Sequence, residues 1–88
     1  MSDLKAQFEE AAEKIKAAGD VVGGLPDDKK LEIYSLFKQG SIGDVNTARP
    51  GMLDLKGKAK WDAWDARKGT SQDEAMQAYI DLINDLLA

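Results

Sequence analysis

Residues 27–40 read DDKKLEIYSLFKQG, from Asp27 to Gly40, and the order of polar and apolar residues there decides the fold. Pro26 precedes the run, so a helix can open near Asp27 and continue to Gln39 or Gly40. Advancing about 100° per residue from Leu31 sorts the side chains into three arcs. Glu32, Ser35 and Gln39 fall within roughly 60° and make the solvent face. Ile33, Leu36 and Phe37 make an apolar face. A further arc holds Leu31, Tyr34 and Lys38, with Tyr34 and Lys38 one turn apart. The non-polar arcs and their lysine span about 220°, twice the ~100° stripe that one core contact requires. Two readings are open. Either this is a central helix sandwiched between neighbours, with Lys38 snorkelling over Tyr34, or the second arc lines a ligand site.

Three more stretches carry helical spacing, and none alternates as a strand would. From Asp3 to Ala18, the residues Leu4, Phe8, Ala11, Ala12 and Ile15 make one apolar stripe. Ser2 can cap the first turn, Asp3 suits the positive end of the helix dipole, and Gly19 offers a left-handed stop. Asp20 to Pro26, with Gly23 and Gly24, reads as a mobile linker. A third helix is expected from Gly57 to Lys68, ending at Gly69 and carrying Trp61 and Trp64. Those rings either pack in the core or offer a flat surface to a base or a lipid. The fourth helix has the clearest start, a capping box of Ser71 and Glu74 ahead of Met76, Tyr79, Ile80, Ile83 and Leu87. Between the second and third helices, Ser41 to Leu55 makes a long connection with Arg49-Pro50-Gly51 as a turn, and connections of that length are often functional. The expected fold is all-α, a four-helix bundle with one long loop between helices two and three.

Composition removes whole classes of function. The 88 residues include no Cys and no His, which excludes disulfide scaffolds, zinc fingers and His-based acid–base catalysis. Twelve Lys and Arg against 16 Asp and Glu give a formal charge of −4, so the chain repels nucleic-acid phosphates in general. The opening MSDLKAQFEE has no basic and apolar leader pattern, and no apolar run approaches the ~20 residues of a membrane span. A single small soluble intracellular domain over residues 1–88 is the expectation. Gly19 to Leu25 lacks the Gly-Lys-Ser/Thr ending of a phosphate-binding loop. Asp44-x-Asn46 starts like a calcium loop but meets Ala48 and Arg49 where a ligand and a glycine are needed. Acidic pairs such as Glu9 and Glu13 lie on a solvated face. No catalytic residue, metal site or cofactor is expected.

Lys56, Lys58 and Lys60 place three of the 12 cations within five positions. They are either a solvated charge run or part of a site for an anion. Lys56 and Lys60 stand at i, i+4, where like charges weaken a helix by a few tenths of a kcal/mol. An anion between them would relieve that repulsion, and Lys38 from another helix could complete a three-lysine cradle for phosphates. Tyr79 is either a core aromatic whose hydroxyl needs a partner or a group offered to a ligand.

Taken together, Ile33-Tyr34-x-x-Phe37-Lys38-Gln39, Gly43-Asp44-x-Asn46-Thr47-x-Arg49-Pro50-Gly51-Met52, Lys56-Gly57-Lys58-Ala59-Lys60-Trp61-Asp62-Ala63-Trp64, Lys68-Gly69-Thr70-Ser71 and Ala75-Met76-x-Ala78-Tyr79-Ile80 closely resemble the acyl-CoA-binding protein family over essentially the whole chain. The resemblance implies an up-down-down-up four-helix bundle. It also implies a carrier, not an enzyme, that binds medium- and long-chain fatty acyl-CoA esters one to one and pools them in the cytoplasm. By resemblance, Tyr34, Lys38 and Lys60 grip the ribose 3′-phosphate, and Lys56 and Lys16 lie near the rest of the CoA headgroup. Tyr79 contacts the ligand from the last helix, and Leu31 covers the acyl chain. Ser35, Leu36 and Phe37 complete the expected binding helix, with Phe37 standing where the family commonly has a tyrosine beside the adenine. A monomer is expected, with passing contacts to membranes or to acyl-CoA-using enzymes.

Overall fold

The computed structural model describes residues 3–88. The Asp3 carboxylate accepts hydrogen bonds from the backbone N–H of Lys5 and Ala6, which satisfies two of the orphan donors of a helix start. Helix α1 then runs Leu4–Ala17. A short helix α2, Gly19–Gly23, follows at once. Helix α3 spans Asp27–Ser41, with Asp27 and Asp28 in its first turn and Lys38 in its last, a charge order that suits the helix dipole. Helix α4 spans Leu55–Asp65 behind an Asp54 cap that accepts from Gly57 N–H. Helix α5, Gln72–Leu87, starts at the expected capping box: Ser71 Oγ accepts from Glu74 N–H and lies 3.1 Å from Glu74 Oε1. The described residues contain helices and no strand, as expected for an all-α chain.

Helix α5 is the spine, packing against both α1 and α3, while α4 lies on α3. The core is thin. Phe8, Ala11 and Ile15 from α1 meet Leu36 from α3 and Tyr79, Ile80 and Ile83 from α5. The chain forms a slab of 43 × 29 × 15 Å, so α3 is covered from two directions. That placement overturns the solvent face expected for Ser35 and Gln39, while Glu32 stays accessible and pairs with Lys29. Ser35 and Gln39 are sealed at 1% and 0% exposure, whereas Phe37, assigned to an apolar face, is 37% exposed. Ser35 and Gln39 are buried because partners engage them, and only Gln39 Oε1 is left without one among the described residues. Ser35 Oγ donates to the Glu32 carbonyl and accepts from Arg67 Nε. Gln39 Nε2 donates both to Asp44 Oδ1 (2.9 Å) and to the Thr70 carbonyl (2.8 Å). A buried amide with partners costs little, so polarity alone does not mark solvent.

Those bonds also tie down the long connection. Trp64 Nε1 donates to the Gly43 carbonyl, Trp61 Nε1 to the Thr47 carbonyl, and Arg49 forms a two-bond ion pair with Asp62 at 2.8 Å. Both tryptophans are therefore loop anchors as well as packing residues. Four local expectations need correction. Gly19 does not stop α1 in a left-handed conformation; the positive φ values belong to Gly43 (+97°) and Gly69 (+93°), where the chain leaves α3 and approaches α5. The segment read as a mobile linker contains α2. The third helix starts two residues earlier than expected and its regular part ends at Asp65, with turns carrying the chain on to Gly69. The bend read at Arg49-Pro50-Gly51 lies at Gly51–Asp54, closed by Asp54 N–H to the Gly51 carbonyl, because Arg49 is held by Asp62. The cap expected from Ser2 lies outside the described residues.

Asp44 Oδ1 receives both Gln39 Nε2 and Gly69 N–H (2.9 Å each). The Gly69 amide first, then Gln39, hold its carboxyl below its ordinary 3.8. A depressed carboxyl contributes stability that is present above pH 3.8 and is lost as pH falls through the folded value. Asp44→Asn keeps an acceptor oxygen and removes the charge. Thermal melts from pH 7 to pH 3 should therefore lose part of their acid slope in the variant, and an unaltered slope would show that the carboxylate is not coupled to folding.

Candidate ligand-binding site

The exposed side of α3 faces a cavity of about 570 Å³ floored by Ala12, Val22, Ile33 and Phe37 and edged by Glu13, Lys16, Lys30, Tyr34, Lys60 and Tyr79. Five elements contribute to it, which is why no one stretch of sequence displays it. Its size falls within the range of small-molecule sites. The floor rests on three aromatic rings. Phe37 stacks on Phe8 with centroids 5.5 Å apart, and Tyr79 meets the two at 5.0 and 5.7 Å. Phe37 thus keeps an open face toward the cavity while its other side is supported. A second cavity of about 430 Å³, lined by Phe8, Met76 and Gln72 among others, shares Phe37, Ala12 and Glu13 with the first.

One end of the main cavity is cationic. Lys38 Nζ lies 5.8 Å and Lys60 Nζ 5.4 Å from the centre of the Tyr34 ring. Lys38 Nζ is also 5.7 Å from the Trp64 ring. Cation–π attraction offsets part of the repulsion between two ammonium groups gathered on one ring. Among the described residues, Lys16, Lys30, Lys38 and Lys60 form no ion pair, whereas Lys14, Lys29 and Arg49 do. In a chain with 16 carboxylates, lysines left unneutralised beside one cavity make a local site for an anion.

Tyr79 joins the two halves. Its ring is 2% exposed, yet its hydroxyl makes no hydrogen bond among the described residues and edges the cavity. Burial pushes the phenol up to about 12, so it stays protonated and can donate to a ligand.

The cavity therefore gathers Lys16, Tyr34, Phe37, Lys60 and Tyr79 from the expected residues, with Lys38 joined through the Tyr34 ring. It does not gather the rest. Leu36 is in the core, and Lys56 is exposed and edges neither cavity. Leu31 and Ser35 line a separate groove of about 550 Å³ with Arg67 between α3 and α4. The sequence reading passed over Lys30, Val22 and Glu13. Lys30 had a signal, since it continues the i, i+4 stripe of Tyr34 and Lys38. Val22 had none while its segment was read as linker, and Glu13 was placed on a solvated face.

Comparison with known proteins gives consistent results. A family model described as acyl CoA binding protein matches residues 5–83. The acyl-CoA-binding protein homolog of Drosophila melanogaster is 51% identical over 85 residues, covering 97% of this chain and 95% of that protein. The acyl-CoA-binding protein homolog 1 of Caenorhabditis elegans is 47% identical with the same coverage of both chains. Among solved structures, acyl-CoA-binding protein 2 of Oryza sativa superposes with a TM-score of 0.88 at 45% identity, covering 97% of this chain and 91% of that one.

Proposed function

We infer the function from one premise: the chain belongs to the acyl-CoA-binding protein family. It binds fatty acyl-CoA esters and carries them. The finer reading places the acyl tail on the apolar floor around Ile33 and Val22, the adenine against the open ring of Phe37, and the CoA phosphates against Lys38 and Lys60, with Lys16 and Lys30 at the border. The observation that carries this placement is the pair of unpaired ammonium groups over Tyr34 beside an apolar cavity.

Magnitudes divide the work. At about 0.8 kcal/mol per methylene, a dozen buried methylenes contribute roughly 10 kcal/mol before ordering costs. Nanomolar binding needs about −12 kcal/mol in all, so headgroup contacts must supply the remainder. The tail provides most of the affinity, and the lysines distinguish a CoA ester from a free fatty acid. Catalysis has no support in the side chains. The hydroxyl of Ser35 is engaged by the Glu32 carbonyl and Arg67, that of Ser41 donates to the Phe37 carbonyl, and neither has a base. We read the protein as a monomeric, cytoplasmic, non-catalytic carrier, formed as one domain, that meets membranes and acyl-CoA-using enzymes only in passing.

Native mass spectrometry with palmitoyl-CoA, CoA and palmitate tests this directly. One palmitoyl-CoA per chain should persist, while CoA and palmitate bind far more weakly. No mass shift and no gain in melting temperature with palmitoyl-CoA would replace the carrier reading with that of a module for a partner helix. Release of free CoA on incubation would make it a hydrolase.

A further inference from the structure

The turn at Gly51–Asp54 and the first residue of α4 carry three of the six large apolar residues that the described part of the chain leaves exposed. Met52 is 83%, Leu53 100% and Leu55 72% exposed. They crowd into four positions, and a cluster of that kind usually has a partner. The core does not call for them. The turn is closed by its own backbone bond, its entry is held by the Arg49–Asp62 pair and its exit by the Asp54 cap on α4. A stiff turn therefore presents apolar tips outward.

Charge identifies the partner. Residues 49–60 hold Arg49, Lys56, Lys58 and Lys60 against one carboxylate, Asp54, so the rest of a chain of formal charge −4 carries −7. Asp62 neutralises Arg49, which leaves Lys56 and Lys58 in the first turn of α4 beside the apolar tips, while Lys60 is turned to the Tyr34 ring. Apolar side chains bordered by lysines fit the interface of an anionic bilayer, where the tips enter the headgroup boundary and the lysines meet lipid phosphates and carboxylates. A soluble acidic protein surface would satisfy the lysines and leave Leu53 in contact with water. We propose that the Met52–Leu53–Leu55 turn is a docking site for anionic membranes, which brings Lys60 and the cavity it borders to the lipid surface. This goes beyond the ligand reading and does not depend on it.

Vesicle co-sedimentation of the ligand-free protein tests the proposal, using phosphatidylcholine vesicles with and without about 30% phosphatidylserine. The parent chain should partition onto the anionic vesicles, less so at high salt where the Debye length shrinks. Met52→Ser with Leu53→Ser should lower that partitioning at least tenfold. Both residues are exposed, and the melting temperature of the double variant should match the parent. Palmitoyl-CoA affinity measured without vesicles should also be unchanged, so a failure of that affinity strikes the ligand reading and leaves this one standing. Equal partitioning of parent and variant, or none by the parent, overturns the membrane site. A concentration-dependent dimer of the parent that the variant abolishes overturns it too, since the tips would then serve a second copy of the chain.

Discussion

Lys38→Ala and Lys60→Ala should each weaken palmitoyl-CoA binding by roughly 1.5–3 kcal/mol, about ten- to 150-fold in Kd, because charge-assisted bonds to a phosphate are of that order. Neither lysine forms an ion pair among the described residues, so melting temperatures should move little. The double variant should lose less than the sum of the two. Both ammonium groups address one ring and one phosphate, and neighbouring groups with shared partners are not additive. Removing one also relieves the other of like-charge repulsion. Tyr34→Phe should cost less than either lysine, mainly for ligands that bear the 3′-phosphate. Isothermal titration calorimetry reads all four variants, with a dephospho-CoA ester as comparison. Unchanged affinity in both single lysine variants would refute the headgroup site, and equal losses for Tyr34→Phe with the dephospho ester would remove Tyr34 from the phosphate.

The lysine series also marks where sequence reading works. Tyr34 and Lys38 stand one turn apart on one helix, so periodicity alone joins them. Lys60 comes from a different helix, and its approach to Tyr34 depends on how α4 leans on α3. The Ser71–Glu74 box, the α5 stripe and the start of α3 were legible because each is a local pattern. The face of α3 that meets solvent was not. Hydrophobicity assigns Gln39 to water, and only the carbonyl of Thr70, 31 residues away, together with Asp44 makes its burial tolerable. The open ring of Phe37 is invisible to helical periodicity for the converse reason. An apolar residue can remain uncovered where a ligand does the covering, and no local rule distinguishes that from a core position. Leu31 and Ser35 face the groove between α3 and α4 instead, because α4 packs on that side of the helix.

Tyr79 sits where core and site meet, and a series of substitutions there separates the two roles. Tyr79→Ala removes a ring that is 2% exposed and packs on both Phe8 and Phe37. Loss of a buried aromatic costs about 3–5 kcal/mol. For a domain of this size that amounts to a fall in melting temperature on the order of 20 °C, with little stability left. Tyr79→Phe keeps the ring and deletes a hydroxyl that has no partner among the described residues, so the melting temperature near pH 7 should hardly change. Affinity for palmitoyl-CoA should still drop, by roughly 0.5–1.5 kcal/mol or about two- to tenfold, if the hydroxyl donates to the ligand. Alkaline melts give an independent check on its burial. A phenol raised from 10 to about 12 in the folded chain contributes stability that is complete below pH 10 and is lost as pH climbs toward 12. Tyr79→Phe should therefore resist alkali better than the parent. An alkaline limb unchanged in the Phe variant would mean that the phenol is not buried as described. An affinity equal to the parent's would confine Tyr79 to the core.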